Sequence, residues 1–284
     1  MSIEFSNVYY VYSPKSPFEY EALKDINISL EQGKFIALVG RTGSGKSTLI
    51  QMINALLTPS KGEVKVDSFI NSPDKKRRSK NISELRKKVG LVFQFPEYQL
   101  FEETVEKDVA FGPKNFGSKN EEALKIAHEA LKKVGLDESF YARSPFELSG
   151  GEKRKVAIAG ILALSPEVLI VDEPTAGLDP KAAEETMALF ESIHQEGVSI
   201  ILVTHDMNLV AEFADEAVVM ENGKIVKHCK PEELFGDDLS AYSLENPHIF
   251  QFALDLQRKG LQIDPKNLKN VKDMASAIKR AKHV

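Results

Sequence analysis

Short apolar runs alternate along the chain with segments whose apolar residues recur at helical spacing. The apolar runs predict strands at residues 34–40, 62–66, 89–94, 167–174 and 198–206. Helical spacing predicts helices at residues 46–57, 121–136 and 180–195, and most of residues 103–163 has helical character. Strands that are apolar on both faces and alternate with helices indicate an α/β fold with a parallel sheet covered on both sides.

The pattern changes towards the C-terminus. Residues 216–228 contain Asn222-Gly223, which predicts a two-residue hairpin turn between strands. The chain then becomes turn-rich and acidic, and two short helices are predicted at residues 248–260 and 271–281. We therefore predict a main domain over residues 1–229 and a small helical region over residues 230–284.

The composition is that of an ordinary globular protein with a sizeable core, since 42% of its 284 residues are hydrophobic and 28% are charged. The net charge of −5 argues against a general attraction to DNA, RNA or anionic lipid. The basic stretch at residues 74–80 is interpreted as a solvated loop rather than a phosphate-binding or lipid-binding patch.

The cellular setting is only loosely bounded by the sequence. A single cysteine, Cys229, excludes an internal disulfide and a cysteine-based zinc cluster, and it is consistent with a reducing compartment. The N-terminal residues do not resemble a signal peptide, and no apolar run is long enough to span a membrane. We therefore expect any work at a membrane to be done through a partner.

The first candidate site is the segment 40–47, which reads Gly-Arg-Thr-Gly-Ser-Gly-Lys-Ser and lies between a predicted strand and a predicted helix. The glycines allow backbone N–H groups to close around phosphates, Lys46 can reach the β- and γ-phosphates, and Ser47 can ligate Mg²⁺. The predicted nucleotide-binding residues here are Gly40, Arg41, Thr42, Gly43, Ser44, Gly45, Lys46, Ser47 and Thr48.

Polar residues end three of the predicted strands. We assign Asp172 to the metal ion and Glu173 to the attacking water, because a carboxylate beside a phosphate loop suits both tasks. Gln94 can sense Mg²⁺ and the γ-phosphate, and His205 can hydrogen-bond the γ-phosphate. Taken alone, Gln94 is better interpreted as an ordinary polar strand terminus, and the alternative for His205 is a strand-end histidine with its hydrogen bonds satisfied.

A second anion-binding motif lies at Ser149-Gly150-Gly151, before a helical pattern. Ser149 and Glu152 have the spacing of a capping box, which any helix can use. A cap does not require two adjacent glycines, which lower helix propensity. Close approach of a ligand to the backbone would explain them, although the chain already has a phosphate loop.

Together these segments resemble the ATP-binding cassette (ABC) ATPases over residues 1–228. The matching motifs, in order, are the phosphate loop 40–47, the Q-loop Gln94, the signature 148–151, the Walker B strand ending in Asp172-Glu173, the D-loop 176–179 and the switch His205. The resemblance implies a P-loop NTPase (RecA-like) core, an antiparallel β subdomain, a helical signature subdomain at about residues 100–165 and a small C-terminal helical region.

The resemblance also implies roles for the motifs. Two cassettes pack head to tail, so Ser149, Gly150 and Gly151 would serve a nucleotide held by a partner chain. Tyr12 best fits the aromatic residue that stacks on adenine, with Tyr10 as the alternative. The implied catalytic residues are Glu173, His205, Gln94 and Lys46, the implied metal ligands are Ser47, Gln94 and Asp172, and the implied cofactors are ATP and Mg²⁺.

A finer resemblance is to the second ATPase type of energy-coupling factor (ECF) transporters, carried by residues 92–117, by the signature helix and by the short C-terminal helical region. It implies a heterodimer with a second, homologous ABC ATPase, a transmembrane coupling subunit and a membrane-embedded substrate-binding subunit. This assembly would import a vitamin or a transition-metal ion, with the chain peripheral on the cytoplasmic face of the cell membrane. Residues 230–284 would help to hold the ATPase pair together.

One residue departs from the family pattern, and two other functions compete with transport. Glu152 stands where the signature usually has Gln, and it adds a negative charge near a helix N-terminus. A non-transport ABC ATPase acting on nucleic acid or ribosomes is the main alternative, although the chain has one cassette, no heptad insertion and a negative net charge. A purely regulatory nucleotide switch is disfavoured by Glu173.

Overall fold

The computed structural model describes residues 2–265 and 268–282. Its strands are β1 (Ile3–Tyr12), β2 (Tyr20–Leu30), β3 (Phe35–Val39), β4 (Lys61–Val66), β5 (Phe69–Asn71), β6 (Val89–Val92), β7 (Val168–Asp172), β8 (Ser199–Val203), β9 (Glu216–Glu221) and β10 (Lys224–Cys229). Its helices are α1 (Lys46–Ile53), α2 (Ile82–Lys88), α3 (Val105–Asn115), α4 (Asn120–Lys133), α5 (Glu138–Tyr141), α6 (Gly150–Leu162), α7 (Pro180–Gln195), α8 (Met207–Phe213), α9 (Pro231–Leu234), α10 (His248–Arg258) and α11 (Val271–Lys282).

The central sheet, within the described residues, has six strands in the order β10-β9-β3-β8-β7-β6. The strands from β9 to β6 are parallel, and β10 pairs antiparallel with β9 through the turn at Asn222-Gly223, where both residues have positive φ. Strands β3, β6 and β8 are buried along their whole length. This arrangement confirms the predicted α/β fold with a parallel sheet covered on both sides.

An antiparallel sheet of order β2-β1-β4-β5 packs over one face of the central sheet. Its inward side chains, such as Phe5 and Leu23, share a core with Ile50 of α1 and with Ile36 of β3. Alternate residues of each central strand enter this core, which is the period-two pattern of a strand buried on both faces. Helix α1 is thereby clamped between the two sheets.

The opposite face of the central sheet is covered by helices. Helices α3, α4 and α6 pack on one another around Val109, Leu131 and Val156, and this cluster continues through Phe190 of α7 to the sheet. This is the helical signature subdomain that the sequence predicted. It carries the N-terminus of α6, and therefore Ser149, whereas the phosphate loop lies between β3 and α1.

The C-terminal region is helical, as predicted. Helix α9 and the chain after it pack on α8 and β9 around Leu234 and Phe250. Helices α10 and α11 share a small core of their own around Ala253 and Met274. The predicted region 230–284 includes residues 266, 267, 283 and 284, which lie outside the described residues, and the domain boundary at residue 229 stays a prediction.

Several predicted elements end earlier than the sequence pattern suggested. Helix 46–57 ends at Ile53, because Asn54 closes it and Ala55 has a positive φ of 54°. The predicted strand 89–94 ends at Val92, and the predicted strand 167–174 ends at Asp172. In the part of the chain that the structure describes, no helix combines the length and hydropathy needed to cross a membrane.

Candidate active site

The carboxyl ends of the parallel strands meet at one edge of the central sheet, where ligands of such folds bind. A cleft of about 390 Å³ opens at this edge. It is lined by Tyr20, Ala22, Thr42, Gly43, Gly45, Lys46, Ser47, Thr48, Gln94, Asp172, Glu173 and His205. The structure therefore brings the phosphate loop, both carboxylates, Gln94 and His205 into one place.

Two glycines of the phosphate loop are required by their surroundings. Gly40 has a φ of 144°, and a Cβ there would overlap the carbonyl oxygen of Met220. Gly45 has a φ of 104°, and its Cβ would lie 2.8 Å from the carbonyl oxygen of Ala22. Since both conformations are disfavoured for other residues, the loop can form only with glycine at these positions.

Lys46 and Ser44 have the burial and the bonding of a phosphate cradle. The Lys46 ammonium donates to the carbonyl oxygens of Gly40 at 2.5 Å and Arg41 at 3.1 Å. Burial lowers the pKa of Lys46, and the negative charges of Glu173 and Asp172 oppose that shift. The Ser44 hydroxyl is buried and has no hydrogen-bond partner among the described residues, so a phosphate oxygen would satisfy it.

Ser47 and Asp172 fit the predicted magnesium site. The Ser47 hydroxyl donates to Asp172 Oδ2 at 3.2 Å, which places two hard oxygen ligands side by side in the cleft. Burial raises the pKa of Asp172, and the hydrogen bond from Ser47 opposes that shift. Gln94 lies exposed at the rim of the same cleft. Oxygen donors of this kind are the ligands that Mg²⁺ prefers, so these residues could hold the ion.

Glu173 follows β7 directly and is held by backbone and side-chain contacts. Its N–H donates to the carbonyl oxygen of Val203 at 2.9 Å, and its φ of 48° lies in the left-handed region. Its carboxylate Oε1 lies 2.8 Å from Nδ1 of His205, whose own side chain is 77% exposed. The carboxylate is therefore anchored at one oxygen, and its other oxygen remains available to orient a water molecule.

Three tyrosines lie near the phosphate loop, and sequence reasoning missed one of them, Tyr20, which lines the cleft. Tyr12 is partly exposed, its hydroxyl lies 3.1 Å from Thr48 Oγ1, and the Tyr10 ring packs edge-on against it at 4.7 Å. Tyr20 pairs with Tyr12 across β1 and β2, lines the cleft, and donates from its hydroxyl to the carbonyl oxygen of Gly43 at 3.4 Å. The strand register brings Tyr20 here, and the sequence pattern alone gave no sign of it.

Ser149, Gly150 and Gly151 lie elsewhere. Ser149 and Gly151 border a second cavity of about 500 Å³ between α6 and α7, and none of the described residues lines both this cavity and the cleft. A Cβ on Gly150 or Gly151 would meet no atom within 4 Å, so contacts within the chain do not require either glycine. The signature glycines are thus open to an external ligand and remote from this chain's own cleft.

The capping box at the start of α6 is confirmed. The Glu152 carboxylate accepts from the Ser149 N–H at 2.8 Å and from the Ser149 hydroxyl at 2.6 Å. The Glu152 N–H donates back to Ser149 Oγ at 3.4 Å. These hydrogen bonds from Ser149 lower the pKa of Glu152, which keeps it ionised. The Oε2 atom of Glu152 thus accepts both of the hydrogen bonds that the carboxylate makes in the cap.

Comparison with known proteins agrees with this geometry. A family model described as "ABC transporter" matches residues 23–176. The chain belongs to the ABC transporter family. The predicted P-loop NTPase core is thereby confirmed, and so is the expected activity, hydrolysis of ATP coupled to transport. Membership of a transporter family also implies association with a membrane.

Individual relatives narrow the assignment. The chain is 55% identical over 260 residues to the energy-coupling factor transporter ATP-binding protein EcfA2 of Lactococcus lactis subsp. cremoris, covering 91% of this ABC chain and 90% of that one. It is 51% identical over 267 residues to the protein of the same name from Enterococcus faecalis, covering 93% and 92%. This ABC chain is therefore an ATPase of the energy-coupling factor type, and the nucleic-acid alternative receives no support from these relatives.

Solved structures of related cassettes have the same fold. CbiO1 of Clostridium perfringens, described as part of the ABC transporter complex CbiONQ, is 37% identical with a TM-score of 0.73 over 91% of this chain and 96% of that one. The ATP-binding cassette MJ0796, solved as a dimer in a post-hydrolysis state with ADP and Pi, is 31% identical with a TM-score of 0.70 over 81% and 98%.

Proposed function

We propose that this chain is one of two different cassettes that share their ATP sites, and that ATP hydrolysis there drives import of a vitamin or a transition-metal ion. The proposal rests mainly on one observation: within this chain, the cleft and the signature motif lie apart from each other. Lys46, Asp172 and Glu173 line the cleft, while Ser149 and Gly151 line another cavity. A second cassette, packed head to tail, would bring the two half-sites together.

Binding of ATP would be the task of the phosphate loop. Its backbone N–H groups and the Lys46 ammonium would neutralise the phosphates, and the buried Ser44 hydroxyl would gain a partner. Tyr12 or Tyr20 would stack on the adenine. Ser47, Asp172 and Gln94 would hold Mg²⁺. When bound, the ion would neutralise the negative charge that develops on the phosphate oxygens during transfer.

Hydrolysis would rest on Glu173 and its neighbours. The free oxygen of the Glu173 carboxylate would orient the attacking water and accept its proton, while His205 holds the other oxygen at 2.8 Å. The serine and glycines of the partner's signature motif would close this site from the opposite side, and Ser149, Gly150 and Gly151 would do the same for the partner's site. ATP would then stabilise the closed pair, because only there do both chains contact it.

The membrane partner would bind beside the cleft. The segment from Phe95 to Phe101 is aromatic and turns through a short 3₁₀ helix, and Tyr98 and Phe101 are 85% and 55% exposed. Exposed aromatic side chains of this kind commonly mark protein interfaces. A helix of a transmembrane coupling subunit would dock here, a membrane-embedded subunit would select the substrate, and the chain would lie on the cytoplasmic face. Residues 230–284 would help to hold the ATPase pair.

The proposal is tested by reconstitution. We expect this chain alone to bind ATP and to hydrolyse it slowly, because its own cleft lacks the partner's signature residues. Addition of the second cassette and the coupling subunit from the same cell is expected to raise the rate by about three orders of magnitude, the scale on which missing transition-state donors act in phosphoryl transfer. High activity of the chain alone, unchanged on mixing, would contradict the heterodimer.

A further inference from the structure

Arg154 is a buried arginine on the signature helix α6, with its side chain only 5% exposed. A buried guanidinium needs partners for its N–H groups, so its contacts show what it holds together. Arg154 contacts two segments that flank the cleft. One follows Gln94, and the other follows Glu173.

The first contact is a bidentate ion pair with Glu97. Nε of Arg154 donates to Glu97 Oε2 at 3.1 Å, and its second terminal nitrogen donates to Glu97 Oε1 at 3.0 Å. Glu97 lies in the short 3₁₀ turn Pro96–Gln99, which begins two residues after Gln94. Two parallel N–H···O bonds fix both the distance and the orientation of the planes, which a single contact does not.

The second contact is with the backbone after the catalytic carboxylate. The other terminal nitrogen of Arg154 donates to the carbonyl oxygens of Pro174 at 3.2 Å and Ala176 at 3.1 Å. That segment is a pair of tight turns. The Ala176 N–H donates to the Glu173 carbonyl oxygen at 3.1 Å, and the Leu178 N–H donates to the Thr175 carbonyl oxygen at 3.2 Å. Arg154 therefore ties the backbone that begins at Glu173 to the segment that begins at Gln94.

Phe95 provides an independent contact between the same two segments. A Cβ on Gly177 would lie 3.2 Å from Phe95 Cε1, so the ring rests directly on the glycine backbone. The Arg154 guanidinium lies 5.9 Å from the centre of the Phe95 ring. The Gln94 segment, the D-loop and the signature helix thus converge on one side chain.

We propose that Arg154 and Glu97 are positioning residues that transmit engagement of the Gln94 segment to the turn after Glu173. When a docked helix displaces Glu97, the buried bidentate ion pair makes Arg154 move with it. The same guanidinium is hydrogen-bonded to the carbonyl oxygens of Pro174 and Ala176, so the backbone at the start of the D-loop moves too. Coupling of this kind requires a contiguous set of rigid contacts, which these hydrogen bonds supply. The inference rests on the proposed docking of a membrane partner at residues 95–101.

The test measures ATP hydrolysis by the assembled pair, with and without the coupling subunit, for four variants. Arg154→Gln removes the guanidinium, and Arg154→Lys keeps the charge but loses the bidentate geometry. Glu97→Gln keeps the size of the side chain but removes its charge and one of its two acceptor oxygens, so the bidentate ion pair is lost. Arg86→Gln is the matched control, because Arg86 also donates to two backbone carbonyl oxygens, those of Asn54 and Ala55, away from the cleft.

We expect Arg154→Gln and Arg154→Lys to lower kcat by about tenfold to a hundredfold, the scale of a small misplacement of catalytic groups. Glu97→Gln should abolish most of the stimulation by the coupling subunit. KM for ATP, and the ATP affinity of the isolated chain, should stay within about twofold, because the phosphate loop is untouched. The double variant Arg154→Gln with Glu97→Gln should be no slower than the slower single variant, since the two residues act as a unit.

The comparison uses variants that fold and whose melting temperature matches that of Arg86→Gln. In such variants, any of three results would overturn the inference. The first is an unchanged kcat in Glu97→Gln and in both Arg154 variants, the second is a raised KM for ATP with kcat unchanged, and the third is additive loss of activity in the double variant. After any of these three results, the proposed function would still hold if the wild-type and Arg86→Gln chains hydrolyse ATP when assembled with the partner. If wild type itself is not stimulated on assembly, the proposed function fails first.

Discussion

Glu173 has a backbone conformation that few residues other than glycine adopt. Its φ is 48°, and its N–H is held by the carbonyl oxygen of Val203. Strain of this kind costs about 1–3 kcal/mol and persists only where the surrounding structure imposes it. At the end of β7 it turns the carboxylate towards His205 and the cleft. The sequence pattern predicted a carboxylate at a strand end but could not predict this strained turn.

Replacement of Glu173 by Gln tests its role most simply. Gln has nearly the same size and can still hydrogen-bond His205, so ATP binding should persist. It cannot accept a proton from water, so turnover in the assembled complex should fall by about two to four orders of magnitude, the range for general base catalysis. The ATP-bound closed pair should accumulate and be visible by size-exclusion chromatography. Hydrolysis at the wild-type rate would refute this role.

Glu152 shows how a single departure from a family pattern is resolved by geometry. From the sequence, its charge could either repel a nucleotide or serve the helix cap. The structure places the carboxylate back on Ser149, accepting from both its N–H and its hydroxyl. A carboxylate that accepts two hydrogen bonds in the first turn stabilises the helix through the cap and the macrodipole. The capping box itself was predictable, because it depends only on local spacing.

At the scale of elements, the two glycine-rich helix starts differ in what requires their glycines. At the start of α1, Gly45 has a positive φ and its Cβ would meet Ala22 and Leu23. At the start of α6, Gly151 has open space around it. Contacts within the chain therefore require glycine at position 45, and they do not require it at position 151, where contact with a ligand or a partner would explain it.

This contrast predicts opposite behaviour for two alanine substitutions. Gly45→Ala should destabilise the isolated chain and abolish its ATP binding. Gly151→Ala should leave the isolated chain folded, or stabilise it by about 0.5–1 kcal/mol through helix propensity. It should nevertheless lower ATP hydrolysis by the assembled pair, because a methyl group would obstruct the approach of the partner's nucleotide. Thermal unfolding and ATPase assays measure both effects, and full activity of Gly151→Ala in the pair would argue against ligand contact there.

Elements buried on both faces were the most predictable from the sequence. The strands of the central sheet and helix α7 were predicted within a few residues of their bounds, because uninterrupted apolar runs mark the strands and Pro180 marks the start of the helix. Strands β1 and β2 gave no clear pattern, since Asn7 and Asp25 have positive φ and shift the register, which breaks the alternation. Helix α2 was missed because only Leu85 of its seven residues is buried.

Tyr20 illustrates the limit of prediction at the scale of elements. Its place in the cleft depends on its pairing with Tyr12 across β1 and β2. The register of these strands follows from the irregularities near Asn7 and Asp25, which the one-dimensional pattern does not reveal. A residue that enters a site through register, rather than through a motif, is found only once the fold is known.

At the scale of the whole molecule, the phosphate loop and the signature motif lie at two different cavities of the chain. The cleft holds the phosphate loop and Glu173, the proposed catalytic carboxylate, and the helical subdomain presents the signature in another cavity. Sequence reasoning identified both motifs, because each is local in the sequence. Their separation in space follows from the packing of α3, α4 and α6 on one another, which no local pattern reports.

The most direct test of this account is the substitution Ser149→Arg, measured in two settings. In the isolated chain, ATP affinity should match wild type, because Ser149 does not line the cleft. In the assembled pair, hydrolysis at the partner's nucleotide site should fall sharply, since the bulky side chain would occupy the place of the γ-phosphate. Site-resolved labelling with an azido-ATP distinguishes the two sites. Loss of ATP binding by the isolated chain, or an unaffected partner site, would contradict the claim that two chains share each ATP.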